Sequence, residues 1–273
     1  MKLKVLVLLG LIVDLLSSCS NSSSTTKQLL SDSAVEHASV NDVVIDKIKI
    51  DTVDFYPNIL EDSLPLKVLF NDVYSDQELL PLIRKFNWWA LETDSIETDF
   101  SISKANFKLS RTSEPMGDEN DSSWILLTNA NSSSILFYFA GSKNIKAHKV
   151  ETISNSPMRI MPGEEKVIEF KNQSYTLRAT GSLDSNQYGI HPRNYRLIVI
   201  KGTASNLLSS APYFDEAMIE IIFIGDIDGD GLLDFLIDNS HKYSIRKYGL
   251  YLSSFANNNE CVRLVASRQL TGC

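Results

Sequence analysis

Beyond residue 43 the chain repeats one pattern: short runs in which apolar and polar positions alternate with a period of two, as they do in half-buried strands. Phe100, Ile102 and then Phe107, Leu109 alternate with polar neighbours. Denser β-branched and aromatic runs follow at Ile125–Thr128, Ile135–Ala140, Lys166–Phe170, Tyr175–Ala179, Tyr195–Lys201, Ile219–Ile224 and Leu233–Ile237, with Val262–Val265 as a last strand. Turn-forming residues separate them at 131–133, 162–163, 171–173 and 181–186. Frequent short strands without long helices between them predict an all-β fold, a mainly antiparallel sandwich or barrel-like arrangement with one or two short helices. One helix is expected after Ser75-Asp76-Gln77-Glu78, which has the form of a capping box; Pro81 should limit it to one or two turns. A second short helix is possible over 29–37.

The amino terminus has a different texture. Lys2 and Lys4 precede an apolar run, Val5–Val13, that is too short to span a bilayer and has the layout of an export signal. Leu16-Ser17-Ser18-Cys19 resembles the lipobox of bacterial lipoproteins, in which cleavage before the cysteine leaves it N-terminal and diacylated. The resemblance implies that residues 1–18 are removed and that Cys19 carries the lipid. Two or more acyl chains hold a protein stably on a membrane. Ser20 after the cysteine implies delivery to the outer membrane, so the expected location is the bacterial cell envelope. Residues 19–42 read as a tether, since 20–26 (SNSSSTT) offers nothing to bury. Residues 43–273 read as the β-rich domain, with 115–123 as the dividing place if it has two lobes.

The chain has 273 residues and a formal net charge of −8, which disfavours binding to nucleic acid. Four of its aspartates fall within nine residues. In the segment 219–239, IEIIFIGDIDGDGLLDFLIDN, Asp226, Asp228, Asp230 and Asp234 occupy positions 1, 3, 5 and 9 of a loop, with Gly229 and Gly231 between them. Calcium takes six to eight oxygen ligands, and alternate residues of a tight turn aim carboxylates at one centre. Leu232, at position 7, would contribute its backbone carbonyl. At about 4–5 Å and an effective dielectric near 20, each pair of carboxylates repels by ~3–4 kcal/mol, so the loop is expected to fold around an ion. With Asp and Gly each at about 7% usage, the six specified positions coincide by chance about 10⁻⁷ times per start. The flanks are β-type runs and position 12 is Ile237, not Glu, so the loop is not an EF-hand.

This segment resembles the calcium loop of FG-GAP and VCBS-type repeats, D-x-D-G-D-G-x-x-D between two strands. The resemblance implies that the side chains of Asp226, Asp228, Asp230 and Asp234 ligate Ca2+. It covers about twenty residues and occurs once, whereas family members carry several copies as propeller blades.

Other chemistry is sparse. With Cys19 lipidated, Cys261 and Cys273 form an even pair in an oxidising compartment and are expected to join in a disulfide. His37, His148, His191 and His241 have no metal or catalytic spacing. Trp88 and Trp89 must point to opposite faces of any strand. The reading with most support is an envelope-anchored lipoprotein without enzymatic activity, in which a structural calcium loop supports binding or scaffolding of an envelope protein or glycan. A carbohydrate- or peptide-binding module with an aromatic platform near Trp88, Trp89 or Trp124 is the alternative. A hydrolase using calcium to hold an active-site loop, with His191 or His241 brought to a serine or carboxylate, comes third.

Overall fold

Strand pairing decides the architecture. The computed structural model describes residues 53–58, 60–94, 99–113, 123–130, 134–141, 145–186 and 189–271. The signal, Cys19, the tether, the expected helix over 29–37 and the divide at 115–122 lie outside them. Residues 49–273 belong to one compact unit. Its first part contains β1 (Lys67–Leu69), β2 (Asp72–Ser75), the helix α1 (Asp76–Lys85), β3 (Trp88–Thr93), β4 (Phe100–Lys104), β5 (Phe107–Thr112), β6 (Trp124–Asn129), β7 (Ser134–Ala140) and β8 (His148–Val150). The second part contains β9 (Thr152–Ser154), β10 (Glu165–Phe170), β11 (Gln173–Asn186), β12 (Gly189–Lys201), β13 (Ala204–Ala211), β14 (Glu220–Gly225), β15 (Asp234–Asp238), β16 (Ile245–Leu252) and β17 (Arg263–Thr271).

The strands form four antiparallel sheets, ordered β1-β7-β3-β4-β8, β2-β6-β5, β10-β11-β12-β13 and β17-β16-β15-β14-β9. The all-β expectation is met in its sandwich-like form; among the described residues no sheet closes into a barrel. The sheet β17-β16-β15-β14-β9 is buried on both faces. Phe223, Leu236, Leu250, Leu252 and Val265 enter one core with the β1-β7-β3-β4-β8 strands and α1. Ile221, Phe235, Ile237, Tyr251 and Leu264 enter a second core with the β10-β11-β12-β13 sheet. This double burial explains why β14 and β15 read as continuous apolar runs: alternate side chains face opposite cores, and both sides must be apolar.

Three expectations are corrected. The helix has ten residues rather than one or two turns, with Pro81 inside it. Ser75 makes no side-chain cap, and Glu78 pairs with Arg268 instead of reaching back to Ser75. Leu79 is fully buried, so packing holds the helix against its proline. The turn expected at 181–186 is strand: β11 continues through a bulge between Thr180 and Ser182. Gly181 makes this possible with φ +140°, at a place where a Cβ would sit 2.7 Å from the carbonyl oxygen of Arg193.

The third concerns the cysteines. Cys261 is a free, buried thiol donating to the Ala204 carbonyl at 3.4 Å, and burial pushes its pKa up. It stands just before β17, whose nine residues carry the chain away from it. The disulfide expected between Cys261 and Cys273 is not found, and Cys273 itself lies outside the described residues.

Candidate metal centre

The acidic loop joins β14 to β15, at the end of the sheet that both cores share. Ile227 and Leu233, at either end of the loop, are both fully buried, Ile227 in the first core and Leu233 in the second. The loop is therefore pinned to both. Between these anchors Gly229 and Gly231 take φ +80° and +87°, the left-handed conformation that the tight turn requires.

Asp226, Asp228 and Asp234 converge. Each offers a carboxylate oxygen, and these atoms lie within 4.8 Å of one another, an arrangement that could hold a metal ion. Asp234 is fully buried, and its two oxygens are fixed by different neighbours. Oδ2 accepts the Ile227 and Asp228 amides at 2.7 and 3.3 Å; Oδ1 accepts the Ser253 amide and hydroxyl at 2.8 and 2.9 Å. Asp226 Oδ2 accepts the Gly231 amide and the Lys171 ammonium, each at 2.9 Å. Its Oδ1 is buried without a hydrogen-bond partner. Such an orphaned acceptor is costly unless something cationic meets it, which fits a metal ligand. Asp228 is half-buried; Oδ1 accepts the Asp230 amide at 3.3 Å and Oδ2 the Ser254 hydroxyl.

Asp230, expected as a fourth ligand, is not part of this triad. It sits exposed on the rim, where Oδ1 accepts the Leu232 amide at 2.8 Å and Oδ2 lies 2.8 Å from the Ser253 hydroxyl, whose one proton it shares with Asp234. Leu232, the expected carbonyl ligand, is half-buried in the same turn.

Electrostatics follow from the crowding. Burial pushes the Asp234 carboxyl well above the usual carboxylate range, and the charges of Asp228 and Asp230 add to the shift while Ser253 opposes it. Burial also raises Asp228, with Ser254 pulling the other way and Asp230 adding to the rise. A divalent ion bound here would favour the charged form of both groups, against the burial that raises them. One resident cation already answers part of the charge. Lys171 lies at the tip of the β10–β11 hairpin, in a two-residue turn with Asn172 where both φ angles are positive. It bonds Asp226 and pairs with Glu151 at 3.2 Å, and the Asp226 hydrogen bond raises its pKa.

Three further participants are invisible in the loop motif. Ser253 and Ser254 follow β16, and the register that sets Phe235 opposite Tyr251 carries them to the loop. His148, on β8, lies with its imidazole against Gly229; its Nδ1 is 2.8 Å from the Lys146 carbonyl and its buried Nε2 has no partner.

The remaining candidates lie elsewhere. His241 packs against the Phe55 ring at 4.1 Å, and His191 sits in β12 opposite Asp184. Among the described residues, no serine or carboxylate hydrogen-bonds either imidazole. Trp88 is buried, with its Nε1 donating to the Leu82 carbonyl at 3.3 Å, while Trp89 on the other face and Trp124 at the start of β6 are half-buried. Comparison with protein-family models, curated proteins and solved structures finds no match.

Proposed function

We propose that this chain is a lipid-anchored module of the bacterial envelope whose acidic loop binds calcium, and that the ion stabilises a β scaffold used for binding rather than catalysis. The observation that carries the reading is the convergence of Asp226, Asp228 and Asp234, with a buried Asp226 oxygen left unpartnered. The donors are all oxygens, the chemistry that hard cations take, and three carboxylates offer up to six of the oxygens calcium needs. Likeness of the motif to FG-GAP and VCBS-type loops supports calcium over magnesium. The ion would add to the bonds of Asp226 and Asp234, which already tie the loop to β10–β11 and to the residues after β16. The export signal and Cys19 support the envelope as the place of work.

Titration of chelator-treated, delipidated protein with calcium tests the reading. At a hundredfold excess over Kd the ion should contribute about 2.7 kcal/mol, raising Tm by about 5–10 °C. Asp228→Ala, at the half-buried ligand, should fold and lose the response. A wild-type Tm indifferent to calcium, with no bound metal by elemental analysis, overturns it.

A further inference from the structure

Where β3 and β4 pair, and lined by none of the loop aspartates, the molecule carries a cavity of opposite character. It has a volume of about 380 Å³ and lies where α1 ends and β3 begins, with Gly141 and Ile145 also lining it. That size is within the usual range for small-ligand sites. Lys85, Phe86, Asn87, Trp89 and Lys104 line it, with no acidic residue among the described residues that do. In a chain of net charge −8 this is a locally basic, aromatic opening.

Strand geometry builds it. Trp88 and Trp89 point to opposite faces of β3, and Trp88 takes the core, so the Trp89 indole is left on the outer face. The antiparallel register sets Lys104 directly opposite Trp89, which lays its aliphatic stem and ammonium beside the indole. The Lys104 Nζ lies 5.8 Å from the Trp89 ring centre, and the Lys85 Nζ lies 5.2 Å from that of Phe86. Each ammonium thus lies near the face of an aromatic ring at the opening. Neither is in an ion pair among the described residues, and each retains donors for an incoming anion.

We propose that this cavity binds an acidic sugar: a uronic acid residue whose carboxylate meets Lys85 and Lys104 while its C–H face lies on Trp89. Charge complementarity selects an anion, because two lysines and no acidic residue are among the described residues that line it. The half-exposed indole and the Asn87 amide select a ring with one apolar face and a hydroxylated rim, which a simple inorganic anion lacks. This deepens the reading of the chain as a binding module and involves none of the loop residues.

Calorimetric titration of the delipidated chain with a galacturonic acid trisaccharide, in chelator so that no calcium bridges the carboxylates, tests it. The matched neutral galactose trisaccharide and inorganic phosphate serve as comparisons. The acidic sugar should bind about tenfold or more tightly than either, with quenching of tryptophan fluorescence. Lys85→Gln with Lys104→Gln should lower its affinity about tenfold, and Trp89→Leu should do the same at a temperature well below the variant's own Tm, since Trp89 also packs on the core. Asp228→Ala should leave the affinity unchanged, so the calcium reading and this one fail independently. Equal binding of acidic and neutral sugars, phosphate binding as well as the uronate, or no heat and no quenching at millimolar sugar would each overturn the proposal.

Discussion

Lys171 shows how a single side chain can stand in for part of a metal's charge. Its ammonium lies 2.9 Å from Asp226 and 3.2 Å from Glu151, and the lysine itself is over a third exposed. Replacing it with methionine should lower the Tm of chelator-treated protein, since Asp226 then loses its only cationic partner among the described residues. The same change should tighten calcium binding about three- to tenfold, because the ion no longer approaches a fixed positive charge. Opposite signs in the two measurements are the signature to look for; weaker calcium binding would mean that Lys171 shapes the loop instead of competing for it. His241 supplies a separate dependence on pH. Burial lowers its pKa below the ordinary value, Lys242 and Lys247 push in the same direction, and Asp215 opposes them. The unfolded chain therefore takes up the proton first as pH falls. Stability from this group is present above about pH 6.5 and is lost as pH drops from there toward the lower folded value. His241→Phe, which keeps a ring against Phe55, should flatten that part of the Tm–pH curve relative to wild type.

Among the elements, α1 holds together against its own sequence. Pro81 is its sixth residue and removes the amide that would bond the Gln77 carbonyl, yet the helix runs on to Lys85 because Leu79 and its apolar neighbours are packed. Pro81 is exposed, so Pro81→Ala restores the bond without disturbing the core. The variant should gain about 1–2 kcal/mol in denaturant unfolding, the helix gain being partly offset by a freer unfolded chain. A strand with one buried face, such as β4, was legible in the sequence because alternation records the burial. The extra length of β11 and β12 was not, since Gly181 reads as a turn when its partner strand is unknown. The same limit applies to the candidate metal centre. Spacing alone brought Asp226, Asp228 and Asp234 together, because all three belong to one short loop. It could not show that Asp230 turns outward to Ser253, nor that Lys171, Ser253 and His148 close in from other strands, since those contacts depend on sheet register.

For the whole molecule, the doubly buried sheet couples the two cores. Trp88, Trp89 and Trp124 all report on the first part of the chain, while Cys261 lies in the second core. Thermal unfolding followed by tryptophan fluorescence and by reactivity of the Cys261 thiol should give one midpoint, and calcium should move both together. Separate midpoints would mean that the layers melt on their own. The shared sheet also bears on attempts to cut the protein down. A fragment lacking the β10–β13 layer, or one lacking the layers before β9, would present to water a broad wall of Phe, Ile, Leu and Tyr side chains. Such a piece is expected to clump or to be degraded instead of surviving as a smaller soluble domain. Deletion mapping of a ligand site should thus rely on point changes in the intact chain.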